Sequence, residues 1–225
     1  MKIIMAGILA LLVASPILGQ GLTITLKETS PIGQSSPILQ ADSTHARLDI
    51  PSMASQVLYD SATQTLRLVV PLLRTYREYT PAIVQQAAAA GLGRGEAAQT
   101  PPLTYKRTGT DRVRDWPCTT YEGFRGTEKV AEVCAAEGAA IGLSRGDFTL
   151  VQQAIDMARA IAPAEIIERV PMYGTAAVQG FNGFPVRHVS FKNGQADTTT
   201  ELVEFNRGPV PAANFAVPAG FNKGQ

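Results

Sequence analysis

The chain has 225 residues, of which 20 are Lys or Arg and 19 Asp or Glu, for a formal charge of +1, with two histidines and two cysteines. A near-neutral balance without a Lys/Arg cluster offers nothing to neutralise phosphates, which excludes a nucleic acid and argues against an anionic membrane as an electrostatic partner. Neither a C-x-x-C pair nor the spacing of a zinc quartet occurs, so no metal and no cofactor is expected.

Met1-Lys2, an apolar run from Ile3 to Val13 and the small-residue stretch ending at Gly19 follow the charged, apolar, small order of a secretory signal. About 11 apolar residues rise only about 16 Å as a helix, roughly half the hydrocarbon thickness of a bilayer, which is too short for an anchor. The expectation is a signal peptide over 1–19 cleaved after Gly19, then a single domain over 20–225, periplasmic or secreted, with no stable membrane insertion. No cysteine follows the cut, so the mature chain lacks the residue that lipoprotein acylation needs.

From Leu22 to Leu26 apolar residues alternate with threonine, the period-2 pattern of a half-buried strand. Short strand-like runs follow at Ala46 to Ile50, Gln56 to Tyr59, Thr65 to Val70 and Thr75 to Tyr79. With no long helix between them they predict an antiparallel meander. Thr80 as cap, Pro81 at the first helical position and Ile83 to Ala90 predict a helix ending near Gly91, followed by a loop up to Pro102.

Cys118 and Cys134 lie at equal distances from Gly126, so a hairpin centred there sets them directly opposite and predicts a disulfide in an oxidising compartment. Phe148, Val151, Ile155, Ala158 and Ala162 recur at helical spacing, predicting a helix from Phe148 to Ala162 that Pro163 stops. A shorter helical or turn segment is expected from Ala164 to Val170. Strand patterns then return at Pro185 to Phe191 and Gln195 to Phe205. Asn193-Gly194 between them is a strong hairpin signal, because both positions tolerate positive φ.

Gly142-Leu143-Ser144-Arg145-Gly146 matches G-x-S-x-G, and Asp156 and His188 follow in the order of a serine-hydrolase triad. That fold needs a parallel sheet, whereas this chain reads as an antiparallel meander. Ser144 with Asp147 also reads as S-x-x-D, a helix start. His45 and His188, the only histidines, sit in different predicted strands without metal-ligand neighbours.

The run Phe181-Asn182-Gly183-Phe184-Pro185-Val186-Arg187, the Asn193-Gly194 hairpin and the ending Phe215-Ala216-Val217-Pro218-Ala219-Gly220-Phe221 resemble exported bacterial proteins of the Lol-type lipoprotein-carrier fold, more narrowly an uncharacterised family assigned to it. The resemblance spans Leu22 to Phe221. It implies an α+β fold: a curved antiparallel sheet, an incomplete barrel, whose concave face is covered by helices around an apolar cavity. Carriers of this fold accommodate lipoprotein acyl chains. The cysteine hairpin and the helix after it depart from the carrier pattern, so no carrier residue is transferred by position.

The expectation is a periplasmic binding protein, not an enzyme, holding an apolar ligand, a lipid or a lipoprotein acyl chain between sheet and helix, with Phe148, Val151 and Ile155 facing that space. Two alternatives remain: an envelope interaction or stress-response module that transports no ligand, and a secreted hydrolase using Ser144. Oligomeric state is not legible in the sequence.

Overall fold

A computed structural model describes residues 21–90, 101–158, 161, 174 and 179–224. The signal peptide expected over 1–19, most of the loop expected up to Pro102 and the helical segment expected at Ala164–Val170 lie outside the described residues. So does most of the expected long helix beyond Ala158.

The first half is a meander. Its strands are β1 (Gly21–Ser30), β2 (Gly33–Ser35), β3 (Ile38–Ala41), β4 (His45–Ile50), β5 (Ser55–Asp60), β6 (Thr65–Val70) and β7 (Thr75–Tyr79). After α1 (Pro81–Ala89) a second meander begins with β8 (Leu103–Val113), β9 (Trp116–Arg125) and β10 (Glu128–Ala136). Two helices follow, α2 (Gly138–Ile141) and α3 (Thr149–Ala158), and then β11 (Phe184–Lys192), β12 (Gln195–Gly208) and β13 (Asn222–Lys223). Among the described residues these strands join in one curved sheet, in the order β13-β7-β6-β5-β4-β3-β1-β12-β11-β10-β9-β8, with β2 paired to β1 alone. The seam between the two meanders is β1 against β12, from Gly21↔Gly208 to Thr29↔Thr199.

The period-2 argument holds where one face is buried. Leu22, Ile24 and Leu26 sink into the core while Thr23 and Thr25 stay partly exposed. Full burial of each such side chain is worth about 1.5–3 kcal/mol. The pattern is absent in β8, whose Lys, Arg, Thr and Asp residues are mostly exposed, because this strand sits at the sheet edge with little core to face. No strand was expected there for that reason. With β8 and the 14-residue β12 included, strand dominates the described chain, and the expected α+β balance is corrected to a mostly antiparallel sheet, with β13 parallel to β7, and few helices.

The disulfide Cys118–Cys134 is present, with Cα atoms 5.4 Å apart. Its expected register is not. Arg125 pairs with Glu128 across a two-residue turn, and a bulge at Val130 adds one residue to β10, so Cys134 lies opposite Thr120 and the bond runs diagonally. The Asn193-Gly194 turn is as expected, with φ of 54° and 74° between the paired Lys192 and Gln195.

The long helix begins one residue later than predicted. Phe148 ends a 3₁₀ turn (Arg145–Phe148), and α3 starts at Thr149 and lies over β4 and β6. On the opposite face of the first meander the segment between β12 and β13 crosses back. There Phe215 stacks on His45 with ring centroids 5.3 Å apart, and Arg47 donates to the Asn214 carbonyl at 2.8 Å.

Candidate functional site

Alternation decides what faces α3. On β4 the inward side chains are Ala46, Leu48 and Ile50, and on β5 they are Ser55, Val57 and Tyr59. The pairs Ala46↔Tyr59, Leu48↔Val57 and Ile50↔Ser55 set them in rows, which Leu66 and Leu68 of β6 continue. The helix answers with Val151, Ala154, Ile155 and Ala158, a stripe at i, i+3, i+4 and i+7. These two surfaces do not close on each other: they bound an apolar cavity of about 210 Å³ that Leu39, Met53 and Tyr79 also line.

The small residues explain the gap. Ala46, Ala154 and Ala158 stand where larger side chains would fill the space between sheet and helix. A weak bond from the Tyr59 hydroxyl to Gln153 Oε1, 3.5 Å, ties the two layers at one side. Burial first, and then the neighbouring Asp60 carboxylate, raise the Tyr59 phenol above its ordinary value, so it stays neutral. One polar atom in the wall has no partner. Ser55 Oγ is shielded from solvent and makes no hydrogen bond, and among the described residues it is the only buried side-chain N or O atom in that state. Leaving a buried hydroxyl unpaired costs about 1–3 kcal/mol.

Of the three residues expected at the ligand site, Val151 and Ile155 line the cavity. Phe148 lies outside the lining, packed on Phe184 with ring centroids 5.3 Å apart. Sequence reasoning missed Ser55, Met53 and Ala154. Position i+3 on the Val151 stripe was the available signal for Ala154. For Ser55 none existed, since a serine before a strand reads as a turn residue.

Ser144 acts as a helix start. Its backbone N–H and hydroxyl donate to Asp147 Oδ2 at 2.6 and 2.9 Å. Arg207 of β12 grips both Asp147 oxygens at 2.9 and 2.7 Å and also donates to the Gly142 carbonyl, fixing the entry to α3 against the sheet. Asp156 accepts from Gln152, one turn away on α3, and His188 lies in β11 opposite Thr200. Among the described residues no group of three or more His, Cys, Asp or Glu is placed to hold a metal ion. None of the described helices is long and apolar enough to cross a membrane.

Burial acts to raise the Asp147 carboxyl, but the Arg207 and Ser144 donors outweigh it, so its pKa lies below the ordinary 3.8. An acid depressed by folding contributes stability that is fully present above its unfolded value and is lost as pH falls through the folded one. R207Q is therefore expected to be less stable than wild type at pH 7, with the difference shrinking as the pH is taken below about 4. Urea midpoints at pH 7, 5 and 3 check this, and a constant difference across that range would show that the pair contributes nothing through ionisation.

Residues 23–221 match the family described as Domain of unknown function (DUF4412), and the chain belongs to that family. No curated protein matches the sequence. Among solved structures the chain is similar to an uncharacterized conserved protein from Thermus thermophilus, at 10% identity and TM-score 0.51, over 92% of this chain and 90% of that one. It is also aligned to the Pseudomonas aeruginosa MucA/MucB complex structure, at 11% identity and TM-score 0.42, over 90% of this chain and 56% of that one. A putative outer membrane lipoprotein-sorting protein domain from Vibrio parahaemolyticus aligns at 8% identity and TM-score 0.28, over 89% and 90% of the two chains. The Thermus likeness bears on the fold alone, and the other two are too distant to carry an argument.

Proposed function

We propose that this member of the DUF4412 family is an extracytoplasmic binding protein that holds an apolar ligand, a single acyl chain being the simplest, between α3 and strands β3 to β7, without covalent chemistry. The observation that carries the reading is the cavity: its wall is almost wholly apolar, with Val151, Ala154 and Ile155 of α3 facing Leu48, Val57 and Leu66 of the sheet. The Cys118–Cys134 bond supports a periplasmic or secreted setting, where disulfides persist. The likeness of the C-terminal motifs to Lol-type carriers supports the same ligand class by analogy.

Native mass spectrometry of protein purified from the envelope is expected to show a co-purifying lipid, and an apolar dye should bind the delipidated protein. Ala154→Leu fills the cavity from the helix side. It is expected to weaken dye binding by about tenfold or more while leaving the melting temperature unchanged or raised, because added methylenes in an existing void need not strain their neighbours. Dye binding that Ala154→Leu leaves untouched would place any apolar site elsewhere. Ester hydrolysis lost in Ser144→Ala would replace the binding reading with an enzymatic one.

A further inference from the structure

The two ends of strands β3 to β7 are built differently. At one end β3 turns into β4 and β5 into β6 through polar residues whose carboxylates cap the backbone: Asp42 Oδ1 accepts from the Thr44 and His45 N–H groups at 2.7 and 2.6 Å, and Asp60 Oδ1 from Ala62 N–H at 2.9 Å. At the other end β4 turns into β5 through Pro51-Ser52-Met53, and β6 into β7 through Pro71-Leu72-Leu73. These are 3₁₀ turns of one design, each entered at a proline and left through a left-handed residue, Ala54 or Arg74. Met53 is 49% exposed, Leu72 83% and Leu73 67%. Because β5 pairs with β6, the two turns are neighbours roughly 10 Å apart, two strand spacings. The polar end shows that turns here need no leucine, so apolar tips gathered at one end mark a contact surface.

Two further features say what the contact is. Neither apolar turn contains an acid, and two exposed arginines that enter no ion pair among the described residues lie on one side of the tips: Arg74 leaves the second turn, and Arg77 follows along β7 opposite Leu68. Met53 also lines the cavity, which therefore reaches the surface at this end.

We infer that this end of the sheet docks reversibly on a bilayer surface, with Met53, Leu72 and Leu73 entering the boundary between headgroups and acyl chains and Arg74 and Arg77 facing anionic headgroups. The near-neutral charge of the whole chain spoke against a purely electrostatic membrane partner; here the apolar tips supply most of the attraction, and the two arginines that follow the second tip in sequence supply the rest. Docking sets the cavity mouth at the depth where acyl chains begin, but it does not depend on the cavity being filled.

The test is flotation of protein purified after export, with its mature N-terminus checked by intact mass, on vesicles of phosphatidylethanolamine and phosphatidylglycerol. Wild type is expected to float, and the double variant Leu72→Ser with Leu73→Ser to partition about tenfold less or weaker at an unchanged urea midpoint. Arg74→Gln with Arg77→Gln should remove the salt-sensitive part of the binding, which pure phosphatidylcholine vesicles should also lack. Wild type left at the bottom of the gradient, or a leucine variant that floats equally well, overturns the inference. Self-association without flotation, abolished by the same leucine variant, would also overturn it and make the tips a protein interface. Ala154→Leu should float like wild type, so a failed cavity and a failed docking surface give different results.

Discussion

Phe184→Ala is expected to destabilise the protein by about 3 to 5 kcal/mol, the cost of removing a buried aromatic ring whose surroundings cannot collapse into the space. The ring is fully buried in β11 and packs on Phe148 just ahead of α3, so its loss also loosens the base from which that helix leaves the sheet. Ile155→Ala on the same helix is the informative contrast. In a dry core that truncation costs about 2 to 5 kcal/mol. Ile155 already borders empty volume, so the expected loss is distinctly smaller and the effect on apolar-dye affinity larger. Urea unfolding and dye titration of both variants, with Gln152→Ala at a half-buried position off the inward stripe as control, decide the matter. A loss at Ile155 as large as at Phe184, with dye binding intact, would show that α3 covers a filled core and would remove the ligand site from this helix. Equal and negligible effects at Ile155 and Gln152 would contradict the packing of α3 on the sheet.

Removing the disulfide is expected to cost on the order of 3 kcal/mol, as the chain-entropy account gives for a loop of this length. The two cysteines are 16 residues apart in sequence and nearly inaccessible, on neighbouring strands of the second meander. Cys118→Ala with Cys134→Ala is the appropriate variant, since serine would bury two hydroxyls in an apolar environment. The sheet around the pair keeps its ladder on both sides, with β9 between β8 and β10, so the variant should fold and melt at a lower temperature. Reduction of wild type should reproduce the shift. Two free thiols titrated in denatured, non-reduced protein would show that the bond does not form.

The local reading went furthest where one physical signal acted alone. The L-T-I-T-L alternation located β1, Asn193-Gly194 located its hairpin, and the Pro81 start located α1, because each rests on backbone conformation or period and needs no distant partner. It went astray where a single residue's placement shifted the outcome. The cysteine pairing was right but its register was not, since the turn lies between Gly126 and Thr127 instead of on Gly126 and one bulged residue at Val130 moves every partner beyond it by one more. The missing strand β8 had a different cause. An edge strand that is exposed along most of its length carries no alternation to read.

By itself the sequence determined the antiparallel character of the fold, the disulfide pair and the inward stripe of α3, because period, compartment chemistry and spacing along a helix are properties of a chain segment. Whether that stripe meets a matching surface is a property of two segments and of the distance between them. Only the tertiary structure separates Phe148, packed on Phe184, from Val151 and Ile155, which face an open volume, since all three satisfy the same helical periodicity. In the same way Met53, Leu72 and Leu73 are unremarked apolar residues in sequence, and sheet pairing alone brings their turns side by side at one end. Packing distance and strand order, neither of which any local pattern encodes, decided where this protein has a cavity and which of its ends is apolar.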